Sequence, residues 1–122
     1  MKGLLLSILL FTLVLGVVVA DTVLCARAVD ALEESLARIP SDDIAKAASA
    51  TEAFRTEWDR RFLLLVVSVP RVHTADVEEE LSDLIGAIEA GEKGDVTIAI
   101  ENMREVLSHM KRAILPSLSY IL

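Results

Sequence analysis

Four acidic side chains fall within five residues, and carboxylate oxygens are the ligands that divalent cations such as Ca²⁺ prefer. They are Asp76, Glu78, Glu79 and Glu80. The stretch has no calcium-loop spacing and no glycine turn beside it. Acidic residues near the start of a helix complement the positive end of its dipole, which explains the cluster without a ligand. The sequence therefore predicts a solvated acidic helix start and no metal site.

Residues that ligate zinc or act as nucleophiles are equally scattered. His73 and His109 lie on different segments, and the single cysteine, Cys25, is far from both in sequence. Zinc sites and serine nucleophiles need closely spaced ligands or a Gly-x-Ser-x-Gly setting, and the chain contains neither. One cysteine cannot form an intramolecular disulfide, although a crosslinked dimer stays open. We therefore expect no enzyme activity and no cofactor.

Three aromatic or imidazole side chains are the candidates for an interaction site or for core anchors. Trp58, the single tryptophan, has the periodicity of a buried helix face, so we favour a core position over an exposed recognition residue. His73 precedes a predicted helix start and is expected to serve a turn. Tyr120 lies in the apolar ending SLSYIL, which should pack on the bundle, on lipid or on a partner.

The element that positions everything else is the uncharged run of residues 3–20, GLLLSILLFTLVLGVVVA. A helix of this length is about 27 Å long, slightly short of a hydrocarbon core of about 30 Å. Residues up to 26 can extend it at the interface. We therefore assign residues 1–26 to a transmembrane anchor that contacts lipid through residues 3–26, and residues 27–122 to an acidic helical domain.

Retention of this run is favoured over cleavage. Lys2 gives the short basic start of a signal peptide, and Ala20 ends an imperfect cleavage site. The run is longer than the usual apolar region of a signal peptide, and no turn-forming residue follows before Pro40. The position of Lys2 favours a cytoplasmic N-terminus and an extracytoplasmic C-terminal domain. The alternative is a secreted protein released after Ala20; lipidation of Cys25 is a weaker one.

Helical periodicity continues through the remainder of the chain. A stripe predicted on the first outer helix is Leu24, Ala28, Leu32, Leu36 and Ile39. Pro40 should end that helix, and Ser41 should cap a second one that runs to about Val69. Within it, residues 62–67 (FLLLVV) are apolar all round and should be the most buried part of the domain. A β-strand over residues 63–69 is the alternative.

Two further helices complete the prediction. Thr74 should cap the third, with Val77, Leu81, Leu84, Ile85 and Ile88 on its buried face. Asp95 should cap the fourth, which Pro116 should end and whose stripe is Val96, Ala99 or Ile100, Met103, Leu107, Met110 and Ile114. The predicted fold is all-α: a long N-terminal transmembrane helix that continues into a small antiparallel bundle of about four helices.

Several of these features together resemble a domain-of-unknown-function family of small single-pass membrane-anchored bacterial proteins. The features are the N-terminal span, Trp58 on a second helix, His73 before an acidic helix start, and the ending Leu118-Ser119 with Ile121-Leu122. Family members tend to have asparagine at the position of Tyr120. The resemblance implies a membrane-tethered helical domain of the bacterial envelope, and it implies no catalytic residues.

The net charge of the chain indicates which classes of partner it is suited to bind. The chain has a formal net charge of −7, and all of its acidic residues follow position 20. Such a domain is a poor partner for nucleic acid and for an anionic membrane surface. We expect a non-enzymatic, membrane-anchored domain that binds another envelope protein or itself. The alternative is a secreted helical protein that binds a small ligand in its core.

Overall fold

The computed structural model describes the backbone of residues 1–121 and the side chains of residues 1–114. Within these residues the chain forms four helices and no strand: α1 (Lys2–Ala37), α2 (Ile44–Ser68), α3 (Arg71–Ala90) and α4 (Lys93–Ile121). Contacts join α1 to α2, α2 to α3, α3 to α4 and α4 back to α1. The predicted all-α fold, a long apolar helix followed by a helical bundle, is confirmed.

Helix α1 is one unbroken rod of 36 residues, which corresponds to a length of about 54 Å. Ala28, Leu32, Leu36 and Ile39 are buried as predicted, whereas Leu24 is 53% exposed and Cys25 takes its place in the core. Nearly all of residues 3–26 are apolar. The hydrophobic periodicity of this segment therefore does not indicate which side of α1 faces the bundle. On its exposed side Glu34 and Arg38 form an i, i+4 ion pair, with Oε1 and Nη2 2.8 Å apart.

Helix α2 starts later than predicted. Asp43, not Ser41, is the N-cap, and its Oδ1 accepts a hydrogen bond from the backbone N–H of Lys46 at 3.1 Å. A carboxylate at this position accepts a hydrogen bond from a backbone N–H that has no partner within the helix, and its negative charge complements the helix dipole. The helix then continues to Ser68, which excludes the alternative of a strand over residues 63–69.

The prediction that residues 62–67 are the most buried part of the domain was wrong. Leu65 is fully buried, but Leu63 and Val67 are exposed. A helix that contacts two neighbours in a bundle buries only one side, whatever the composition of its other side.

Helix α3 begins at Arg71, so Thr74 is not its cap. Pro70 is the N-cap, and its fixed φ of −55° and lack of an N–H suit a helix start. Thr74 is buried, and its hydroxyl donates to the carbonyl oxygen of Arg71 at 3.0 Å. Val77, Leu81 and Leu84 are buried as predicted, joined by Ala87, whereas the predicted Ile85 and Ile88 are only half-buried.

Helix α4 follows a two-residue connection. Gly91 ends α3 in the left-handed region at φ 70°, where a side chain would be strained. Because α4 starts at Lys93, Asp95 lies in its first turn and is not its cap. Pro116 does not end the helix, which continues to Ile121; an internal proline removes one backbone hydrogen bond without forbidding helix on both sides.

The buried face of α4 agrees with the prediction at every described position. Its members are Val96, Ala99, Ile100, Met103, Leu107, Met110 and Ile114. They pack with the buried faces of α1, α2 and α3 into one apolar core, in which Leu32, Phe54, Trp58 and Leu84 are among the most buried side chains.

Candidate functional site

The part of the molecule with the clearest physical role is the passage of α1 from its apolar half into the bundle. None of residues 1–21 is buried, and Thr22 is the first buried side chain. Helix α1 is long and apolar enough to cross a membrane, a property that signal sequences near an N-terminus share. The bundle therefore begins at Thr22, inside the stretch that the sequence assigned to the anchor.

The few polar side chains of the apolar half are satisfied within the helix. The hydroxyl of Ser7 donates to the carbonyl oxygen of Gly3 at 2.8 Å, and that of Thr12 donates to Ile8 at 2.8 Å. Thr22 donates in the same way to Val18 at 2.9 Å. Since a hydrocarbon interior offers no water to polar groups, these internal bonds make the segment compatible with lipid.

A hydrogen bond joins the end of α2 to α1 at the point where the apolar half of α1 ends. The hydroxyl of Ser68 donates to Oδ1 of Asp21 at 3.0 Å, across 47 positions of sequence. A cavity of about 180 Å³ lies beside this contact, lined in part by Cys25, Pro70 and Ile114. Because Cys25 is buried in the bundle, its thiol is covered by protein and is not placed at the lipid surface.

Trp58 lies in the core, which agrees with the position that the sequence favoured over an exposed recognition residue. It is 2% exposed and packs edge to face against Phe62, with ring centroids 5.8 Å apart and an interplanar angle of 66°. A surface groove of about 300 Å³ runs beside it, between α2 and α3, and Arg55 and Glu78 are among its lining residues. Near Trp58, Oε2 of Glu57 and Nη2 of Arg61 form an i, i+4 ion pair at 3.1 Å.

The other candidates are not brought together with Trp58 into a single site. His73 is half-buried in the first turn of α3, where its backbone N–H donates to the carbonyl oxygen of Pro70 at 3.0 Å. It therefore lies inside the helix, not in the predicted turn. His109 lies on α4, 3.9 Å from Glu105. The side chain of Tyr120 and the packing of the SLSYIL ending lie outside the described side chains.

Charged side chains tie α4 to α1. Nζ of Lys111 lies 2.6 Å from Oδ1 of Asp30 and 3.5 Å from Oε1 of Glu33. The hydrogen bond to Asp30 and the negative charges raise the pKa of the Lys111 ammonium above its ordinary value. Because the pKa of Lys111 is raised in the folded protein, its ion pairs stabilise the fold at neutral pH. This stabilisation is lost when the pH rises through the folded pKa of Lys111. No local pattern in the sequence pointed to this cluster.

The acidic cluster lies beyond the first turn of α3, and its member Glu80 is partly buried. Burial raises the pKa of the Glu80 carboxyl, and the charges of Asp83, Glu79 and Asp76 raise it further. Its Oε2 is buried, with no hydrogen-bond partner among the described side chains. No group of three or more His, Cys, Asp or Glu side chains in the described part of the chain is arranged to hold a metal ion.

The described geometry thus offers a membrane-compatible rod, an apolar core and grooves on the surface. Comparisons with protein-family models, with curated proteins and with solved structures gave no match.

Proposed function

We propose that this protein is a single-pass membrane protein whose apolar half of α1 is retained and holds the helical bundle at the membrane surface. The observation that carries the proposal is the continuity of α1, which runs from its exposed apolar half into the bundle core without a break. A rigid helix of this kind couples the position of the bundle to that of the membrane. The N-terminus is then cytoplasmic and the bundle extracytoplasmic, as the position of Lys2 favours.

The role of the bundle in this proposal is non-catalytic. Its core is built from side chains of all four helices, and several of its charged groups form ion pairs, as Lys111 does with Asp30. Such a domain serves as a structural or interaction component of the bacterial envelope and binds another protein or a second copy of itself. The resemblance to the family of small bacterial membrane-anchored proteins implies the same arrangement and itself stays a prediction.

Fractionation of membranes from expressing cells tests the anchor. Arginine at the centre of a spanning helix costs about 2.5–3.5 kcal/mol per residue on the insertion scale. The double variant Leu9→Arg with Leu13→Arg should therefore be lost from the alkali-resistant membrane fraction. The matched control, Ala37→Arg with Ala48→Arg, adds the same charge at exposed positions beyond the span and should stay in that fraction.

Equal retention of both double variants would contradict the anchor proposal.

Chemical crosslinking in native membranes then tests the interaction role. A protein that stays monomeric, with no crosslinked neighbour at any crosslinker length, would contradict it.

A secreted, ligand-binding protein is the second candidate. One structural fact favours its feasibility: none of residues 1–21 is buried, so cleavage after Ala20 would leave every buried side chain in place. The N-terminal sequence of the mature protein distinguishes the two candidates.

A further inference from the structure

The chain order places the end of α2 and the start of α3 at the same end of the bundle as the apolar half of α1. The hydrogen bond from Ser68 to Asp21 shows this directly, because it joins the last residue of α2 to the first charged residue after the apolar run. Pro70 and the start of α3 follow immediately. This end of the bundle is the one nearest the membrane in the proposed function.

Exposed apolar side chains concentrate at this end. Leu63 is 75% exposed, Val67 is 82% exposed and Val72 is 58% exposed. We name these three residues the apolar rim. Leu63 and Val67 are four residues apart on α2 and therefore lie on one face of that helix. Among the described side chains of residues 27–114, the other large exposed hydrophobic residue is Ile98, near the opposite end of the bundle.

The length of the span sets the height of the apolar rim. Residues 3–20 supply about 27 Å of helix, about 3 Å less than a typical hydrocarbon core. Two more residues make up the difference, which brings the hydrocarbon boundary to the level of Asp21 and Thr22. Ser68 is hydrogen-bonded to Asp21, so the neighbouring Val67 lies at that boundary.

Leu63 lies slightly farther out. Four residues of helix span about 6 Å, and each headgroup layer is about 5–7 Å thick. If α1 crosses the bilayer along its normal, exposed side chains at these heights lie within the hydrocarbon boundary and the headgroup layer.

We propose that the apolar rim contacts the lipid bilayer at the boundary between headgroups and acyl chains, so that the bundle is seated in the membrane surface as well as tethered to it. This inference rests on the proposed retention of the anchor. Arg71, exposed at the start of α3 beside Val72, is placed to reach lipid phosphates, as basic residues at membrane interfaces do. The carboxylate of Asp21 already accepts a hydrogen bond from Ser68, which reduces the cost of holding it near lipid.

Site-directed spin labelling of the full chain tests the depth of the apolar rim. Single cysteines are introduced by Leu63→Cys, Val67→Cys and Val72→Cys in a Cys25→Ala background. The proteins are reconstituted into vesicles of phosphatidylcholine, which carry no net charge and therefore do not repel the acidic bundle. Each label is then exposed to oxygen, which concentrates in lipid, and to a water-soluble nickel chelate. The unchanged emission of Trp58 verifies that each labelled protein is folded.

Two positions serve as references: Ile98→Cys for water and Leu10→Cys for the bilayer interior. Ile98 matches Val72 in exposure, at 59% against 58%, but lies near the far end of the bundle. We expect the ratio of oxygen to nickel accessibility to be highest at position 10. It should be several-fold above the position 98 value at positions 67 and 72, and intermediate at position 63.

The outcomes separate the inference from the proposal on which it rests. A lipid value at position 10 with position 98 values throughout the apolar rim would overturn the seating of the bundle and leave the anchor standing. A rim shielded from both reagents would also overturn the inference, because it would mean that protein, such as a second copy of the chain, covers these residues. An aqueous value at position 10 would refute the anchor itself.

Discussion

Leu32→Ala against Leu24→Ala tests which side of α1 faces the bundle. Both leucines lie on α1, but Leu32 is fully buried and Leu24 is 53% exposed. Truncation of a fully buried leucine costs about 2–5 kcal/mol, through lost apolar burial and the cavity left behind. A domain of this size has a total stability of about 5–15 kcal/mol, so Leu32→Ala should remove a large part of it. Truncation of the exposed Leu24 should cost less than about 0.5 kcal/mol.

Urea unfolding of the full chain in a mild detergent measures both costs. Trp58 is the single tryptophan and is 2% exposed, so its emission should shift to the red when the bundle opens. For a slope of about 1.5 kcal/mol per molar urea, a cost of about 3 kcal/mol lowers the midpoint by roughly 2 M. Leu24→Ala should lower it by less than about 0.5 M.

The comparison is decisive because the two variants remove the same atoms from the same helix. A midpoint for Leu24→Ala as low as that for Leu32→Ala would show that α1 presents a different face to the bundle.

The same unfolding assay checks three further expectations. Asp43→Ala removes the N-cap of α2 and should cost about 0.5–2 kcal/mol, while Ser41→Ala, at the position first predicted as the cap, should cost almost nothing; equal costs would contradict the cap assignment. Ser68→Ala should cost about 1 kcal/mol by deleting its bond to Asp21, and an unchanged midpoint would argue against that contact. Glu80→Gln should stabilise the fold at pH 7 by roughly 0.5 kcal/mol, a small gain because solvent partly screens this half-buried carboxylate. Since the pKa of Glu80 is raised in the folded protein, the natural chain should lose stability as the pH rises from 4.5 through the folded pKa, and a gain from Glu80→Gln that is the same at pH 4 and pH 7 would contradict this cause.

Sequence periodicity was most informative where apolar and polar residues alternate clearly. Every described position predicted for the core of α4, from Val96 to Ile114, is buried. Where nearly all residues are apolar, hydrophobic periodicity did not predict which side of the helix is buried. The face of α1 near Leu24 and the exposed side of residues 62–67 were both misjudged, because composition there does not distinguish core from surface.

Helix ends and long-range polar contacts were harder to predict. Ser41 and Thr74 have good capping side chains, yet Asp43 and Pro70 occupy the N-cap positions. Asp43 caps helices about as well as Ser41 does. Pro70 allows α3 to start before Thr74, because its fixed φ suits a helix start. The contact of Ser68 with Asp21 joins residues 47 positions apart, and its formation depends on how the helices assemble. No local spacing contains that information.

In the proposed function, the apolar half of α1 stays attached and holds the bundle at the membrane. Intact mass and N-terminal sequence of the protein recovered from expressing cells test it most directly. We expect the mature chain to be found in the membrane fraction and to contain residues 3–20. A mature chain that starts at Asp21 and is recovered in soluble form would contradict it.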